Sequence, residues 1–126
     1  MVTGQRIRVL LVDDHLMFRQ GLRTLLQSYP DIEVVEEAND GAEAVSKVPT
    51  VQPGVVVMDI SMPKMDGIAA TRVLKSRHSH IPILGLSVTG HGYQVEAMLQ
   101  AGAIKVLTKE KAVDELYDAI KMAARE

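Results

Sequence analysis

The chain has 126 residues, 47% of them hydrophobic and 24% charged, with a net charge of −2: the size of one domain with a real core, and no electrostatic bias toward nucleic acid or an acidic membrane. It contains no cysteine, which excludes a disulfide framework, a thiolate metal site and a thiol nucleophile. The opening stretch MVTGQRIRVLLVDDH meets two acids before its apolar run could serve as a signal peptide or a membrane span, so an intracellular, cytoplasmic protein is expected.

Along the chain, short apolar runs alternate with helical patterns. IRVLLV (7–12) reads as a buried strand, and after it Phe18, Leu22, Leu25 and Leu26 recur at the spacing of one helix face. IEVVEEA (32–38) is a second strand, and DGAEAVSKV (40–48) a short helix that Pro49 is expected to end. VVVM (55–58) follows the turn residues Pro53 and Gly54 as a third strand, then a helical pattern runs from Met65 to about Arg77. IPILGLS (81–87) is a fourth strand, Tyr93–Ala101 a fourth helix, AIKVLT (103–108) a fifth strand and Ala112–Arg125 a fifth helix. No linker, repeat or low-complexity segment interrupts these five units.

Alternating strands and helices imply an α/β doubly wound sheet with parallel pairing and right-handed crossovers. In the flavodoxin-like order 2-1-3-4-5, ligands bind beyond the carboxyl ends of the strands, where the order reverses between strands one and three. The polar residues at strand ends are Asp13 and Asp14 after strand one, Asp59 after VVVM, Ser87 closing strand four and Lys109 just past strand five. Three carboxylates converging on one rim repel one another unless a cation is present. Mg²⁺ is the natural partner, since it takes only one or two protein carboxylates, keeps waters and leaves a position for a phosphoryl oxygen.

These residues carry a family resemblance. The acidic pair in LLVDDH, the acid in VVVMDISMPKMDG with Pro63 and Gly67 four and eight residues on, Ser87 in ILGLS and Lys109 in AGAIKVLTKE resemble a two-component response-regulator receiver domain. The likeness covers Ile7 to Ile120, and Glu110 after the lysine resembles receivers of LuxR-type regulators. It implies one phosphoacceptor domain over residues 1–126, with Asp59 as the phosphorylated residue. Asp14 would be a direct Mg²⁺ ligand, Asp13 a ligand through water, and Asp59 and the backbone carbonyl of Ser61 would complete the protein's share of the set. Lys109 and Ser87 would contact the phosphoryl group. The implied donor is a phosphohistidine on a sensor histidine kinase or a histidine phosphotransfer protein. The output would be a changed surface on the fourth helix, fifth strand and fifth helix, with a homodimer on phosphorylation. No direct binding of nucleic acid or membrane by this chain is implied, and no enzymatic activity beyond phosphotransfer and autodephosphorylation.

Some positions depart from the family. Val106 stands where many receivers carry Tyr or Phe, which puts the aromatic part of the switch in question, and Val88 is bulkier than the usual small residue, so partial shielding of Asp59 is expected. A haloacid-dehalogenase-like phosphatase would want a second Asp where this chain has Ser61, and neither GxxxxGK[ST] nor GxGxxG occurs. A phosphorylation-independent pseudo-receiver acting as a docking or dimerisation module stays open, as do a stand-alone receiver, the receiver of a DNA-binding regulator and that of a hybrid kinase. His15, His78, His80 and His91 lack ligand spacing and read as exposed positions. Asp66 reads as a turn former, and the seven methionines as core filler.

Overall fold

A computed structural model describes residues 5–125. Its elements are β1 (Ile7–Val12), α1 (Leu16–Gln27), β2 (Ile32–Ala38), α2 (Gly41–Val51), β3 (Val55–Asp59), α3 (Gly67–Arg77), β4 (Ile83–Ser87), α4 (Tyr93–Ala101), β5 (Lys105–Thr108) and α5 (Lys109–Ala124). All neighbouring strands pair in parallel in the order β2-β1-β3-β4-β5. The flavodoxin-like α/β architecture expected from the alternation is the one observed.

Period-2 alternation along the central strands divides the core in two. Val9 and Leu11 of β1 and Val55 and Val57 of β3 pack with Leu22 and Leu26 of α1 and Leu116 and Ile120 of α5. Leu10, Val12, Val56 and Met58 point the other way, onto Ala44 and Val48 of α2, Ala70 and Leu74 of α3 and Met98 of α4. Both faces of the sheet are thus covered, as a parallel sheet requires. Met58 and Met98 are core residues, but Met17 and Met122 are exposed, so the reading of all the methionines as filler fails for those two.

The structure moves several boundaries. Pro49 does not end α2, which continues to Val51; the proline sits in the last turn, where its missing N–H costs a single helical bond. β4 begins at Ile83 and not at Ile81, because Pro82 has no N–H to give a ladder, although its carbonyl accepts from Val56 at 3.0 Å. β5 begins at Lys105: Ala103 N–H is taken by the Met98 carbonyl at the end of α4, at 3.2 Å. α5 begins three residues early, at Lys109, because the Thr108 hydroxyl caps it by accepting from Lys111 N–H at 3.1 Å. Asp40 and Asp66 cap α2 and α3 in the same way, which gives Asp66 its role.

Candidate phosphoacceptor site

Each site residue is delivered to the rim by the end of an element. Asp13 follows the last residue of β1, and its own N–H bonds the Ala38 carbonyl of β2 at 3.1 Å. Asp59 closes β3 in register with Leu86 of β4, so Ser87, one residue on, ends β4 beside it. Lys109 is the first residue of α5. A cation at a helix N-terminus works against the helix dipole; here the ammonium is offset by the two acids that face it.

A close approach holds the floor of the site. The Gly67 N–H bonds the Ile60 carbonyl at 2.8 Å, and a Cβ on Gly67 would lie 2.1 Å from the Asp59 carbonyl oxygen. Only glycine lets α3 start this near the end of β3, which explains why Asp59 is followed eight residues later by a residue without a side chain.

At the centre, the Lys109 Nζ lies 2.9 Å from Asp13 Oδ2 and 3.2 Å from Asp59 Oδ2. The side chains of Asp13 and Asp59 are 2% and 3% exposed. Lys109 donates a hydrogen bond to Asp59 Oδ2, and Ser61 N–H reaches Asp59 Oδ1 at 3.4 Å. Toward Asp13 Oδ2 the ammonium has proximity without bonding geometry, and this buried oxygen accepts no hydrogen bond among the described residues. Burial, and then the charge of Asp13, push the Asp59 carboxyl up to about 6, and Lys109 offsets them only in part. One ammonium against three carboxylates leaves the pocket short of positive charge.

Asp14 is more open, with 31% of its side chain exposed. Ser87 is buried, but its hydroxyl accepts from Thr89 N–H at 3.2 Å, tying down the start of the loop after β4. Val88 is 77% exposed and so gives Asp59 little of the cover expected from its size. Val106 packs against the core on the α4 side of the sheet. Every peptide bond among the described residues is trans, the one between Lys109 and Glu110 included.

Two residues belong to the site that the sequence reading left out. His15 is exposed, as expected, but its Nδ1 stands 3.2 Å from Asp13 Oδ1, 3.6 Å from Asp14 Oδ1, 4.0 Å from Asp59 Oδ2 and 3.1 Å from Lys109 Nζ. Arg19 is buried behind Asp13: it donates to the Asp13 carbonyl at 2.5 Å, to Asn39 Oδ1 at 2.9 Å and to Glu37 Oε1 at 2.7 Å. A signal for Arg19 was present, since it shares a stripe with Leu22 and Leu26 three and seven residues on, and a charge in an apolar stripe demands buried partners. For His15 the only signal was adjacency to the acid pair.

The pocket suits a hard dication. Ligand atoms of Asp13, Asp14, His15 and Asp59 all lie within 4.8 Å of one another, the carboxylates are oxygen donors, and Asp13 Oδ2 is a buried acceptor with no donor. Among the described residues no helix is long and apolar enough to cross a membrane.

Comparison with known proteins points the same way. Residues 9–121 match the response regulator receiver domain family. The transcriptional regulatory protein DegU of Brevibacillus brevis is 38% identical over 124 residues, covering 98% of this chain and 52% of that protein; the chain thus spans about half the length of such a relative. The signal receiver domain of NarL from Mycobacterium tuberculosis superposes with a TM-score of 0.90 at 31% identity, covering 96% of this chain and 98% of that one. The CheX–CheY–BeF₃–Mg²⁺ complex from Borrelia burgdorferi matches with a TM-score of 0.82 at 27% identity over 93% and 91% of the two chains.

Proposed function

The chain belongs to the response regulator receiver domain family, and from that premise we propose that residues 1–126 act as a phosphorylation-dependent switch with Asp59 as the phosphoacceptor. The observation that carries the reading is the rim itself: a buried carboxylate at the end of β3, 3.2 Å from the Lys109 ammonium and beside a second buried acid with an unbonded oxygen. Receiver domains of two-component regulators are phosphorylated by sensor kinases, so the donor is a phosphohistidine of a sensor histidine kinase or a histidine phosphotransfer protein. An Asp59 carboxylate oxygen forms the new bond to phosphorus as the phosphorus–nitrogen bond of the donor breaks. The electron pair returns to the donor imidazole, which then takes a proton.

Phosphoryl transfer asks a protein mainly to align groups and to neutralise equatorial oxygens. Lys109 is placed to do the second, with its ammonium already bonded to the nucleophile. Asp13, Asp14, Asp59 and the Ser61 carbonyl are the groups that would hold Mg²⁺, which supplies charge neutralisation on the phosphoryl oxygens when bound. The Ser87 hydroxyl would exchange its Thr89 N–H partner for a bond donated to a phosphoryl oxygen. The loop after β4 is thereby drawn inward, shifting the surface of α4, β5 and α5. Dimerisation on phosphorylation and action in the cytoplasm complete the proposal, with Mg²⁺ as the cofactor and no enzymatic activity beyond phosphotransfer and autodephosphorylation. That one similar structure is a CheY complex with BeF₃ and Mg²⁺ supports this chemistry for the fold.

The test is incubation with acetyl phosphate and Mg²⁺, read by intact mass. Wild type gains one phosphoryl group and Asp59→Asn gains none, a loss of at least a hundredfold. Label on Asp59→Asn would overturn the assignment, and a wild type that never takes label would favour a docking module that works without phosphorylation.

A further inference from the structure

The His15 ring is not spent on its helix. It stands at the N-cap of α1 without making a side-chain capping bond, and its Nδ1 turns instead toward the acid pocket. Lys109 Nζ is 3.1 Å away and Asp13 Oδ1 3.2 Å away; in the tautomer with its proton on Nε2, Nδ1 presents a lone pair that accepts from the ammonium and is free to bind a metal. The pocket then combines one imidazole nitrogen with three carboxylates.

That set has a geometry of its own. Zinc with bonds of about 2.0–2.1 Å to four tetrahedral ligands separates those ligands by roughly 3.4 Å. Nδ1 of His15 lies 3.2, 3.6 and 4.0 Å from oxygens of Asp13, Asp14 and Asp59, and the four ligand atoms lie within 4.8 Å of one another, so side-chain adjustment draws the set in to that spacing. Asp13 Oδ2, buried and without a hydrogen bond, is an independent sign that a cation is wanted here. The Lys109 ammonium stands in for one, 2.9–3.2 Å from Asp13, Asp59 and His15.

We propose that His15 converts the acidic pocket into a second kind of metal site, one that binds a borderline first-row dication of the Zn²⁺ class and thereby holds the domain off. Imidazole favours such ions over Mg²⁺, which prefers oxygen alone. The consequence for signalling rests on the reading of Asp59 as the phosphoacceptor; the binding itself does not. A four-residue set of Asp13, Asp14, His15 and Asp59 is closed, like a structural zinc site: it takes the nucleophile as a ligand and leaves no position for a phosphoryl oxygen. Lys109 is displaced in that state, with the Phe18 ring 4.8 Å from its Nζ as a neighbouring face for the cation.

The experiment is titration of the whole chain with Zn²⁺ and, separately, Mg²⁺ by calorimetry, together with the visible d–d bands of Co²⁺ as a report of tetrahedral nitrogen and oxygen coordination. Wild type, His15→Ala and a His78→Ala/His80→Ala control are compared. His15→Ala is expected to weaken Zn²⁺ at least tenfold, to remove the Co²⁺ bands and to weaken Mg²⁺ by a much smaller factor than Zn²⁺, while the control keeps all three. Unchanged Zn²⁺ affinity in His15→Ala, or its loss in the control, overturns the proposal. The ring is exposed and makes no capping bond, and circular dichroism of each variant checks that the fold is kept. In parallel, Zn²⁺ should block occupancy of wild-type Asp59 by beryllofluoride and Mg²⁺ and fail to do so in His15→Ala; block in both overturns the His15-dependent inhibition. If beryllofluoride never occupies wild type without zinc, it is the phosphoacceptor reading that falls, and the zinc affinities still stand or fall on their own.

Discussion

Two clusters of charge stand about one strand apart on the same rim, and they are built on opposite principles. Around Asp59, three carboxylates stand against the single ammonium of Lys109, which reaches Asp13 and Asp59, a buried oxygen goes unbonded, and burial pushes the carboxyl up to about 6. Around Glu37 of β2, burial acts in the same direction but is outweighed by hydrogen bonds from Arg19 and Arg23, and the carboxyl ends below its ordinary value. The difference teaches what a functional pocket is. The Glu37 cluster has its cations built in, whereas the Asp59 cluster is short of them, a deficit that the proposed Mg²⁺ would offset.

The comparison breaks most visibly if the deficit is removed. Asp14→Ala takes away an open carboxylate and is expected to cut Mg²⁺ affinity at least a hundredfold with the fold intact or slightly more stable, as calorimetry and thermal melts would show. Undiminished affinity would mean that the deficit around Asp59 is not a metal site. Unbalancing the other cluster should instead damage stability: Arg19→Met leaves Glu37, Asn39 and the Asp13 carbonyl without their buried donor. A loss of about 3 kcal/mol in urea unfolding is expected, with weaker Mg²⁺ binding because the turn carrying Asp13 and Asp14 loosens.

The two carboxylates should also answer pH with opposite signs. Asp59 titrates higher in the folded chain than its ordinary value of 3.8, so the folded state holds that proton more tightly and stability drains away as pH rises from about 4 to about 6. Asp59→Asn escapes this and should be more stable than wild type at pH 7 without divalent ions, by at most about 3 kcal/mol, the gap closing by pH 4. Glu37 titrates lower when folded, so it contributes stability above its ordinary value of 4.5 that is lost as pH falls through the folded value. Glu37→Gln should therefore be destabilising at pH 7 and progressively less so on acidification. Melting curves taken from pH 7 down to about pH 2 read both, Asp59 between about 4 and 6 and Glu37 below its ordinary 4.5, and slopes of the same sign would dissolve the contrast.

The smallest effect sharpens the link from pocket to surface. Ser87→Ala should still accept phosphoryl on Asp59 yet lose much of the amide shift change over α4, β5 and α5 on adding beryllofluoride and Mg²⁺, since Val106 is packed into the core and offers no polar contact to gain. Equal shifts in both proteins would remove Ser87 as the coupling group.

By itself the sequence determined the five βα units, their parallel order and the placing of Asp13, Asp14, Asp59, Ser87 and Lys109 on one rim. Period and strand-end position are local signals, and they survive without knowledge of what packs against them. It misjudged ends where a local rule met a specific partner: Pro49 lies too near the end of α2 to break it, and Thr108 starts α5 early by capping it. Only the tertiary structure decided which groups meet. His15 is brought to Lys109, 94 positions away in the chain, and Arg19 to Glu37, 18 away, by the crossovers that set β1 between β2 and β3. Charge balance in a pocket is a property of distances between elements, and spacing along one element does not encode it.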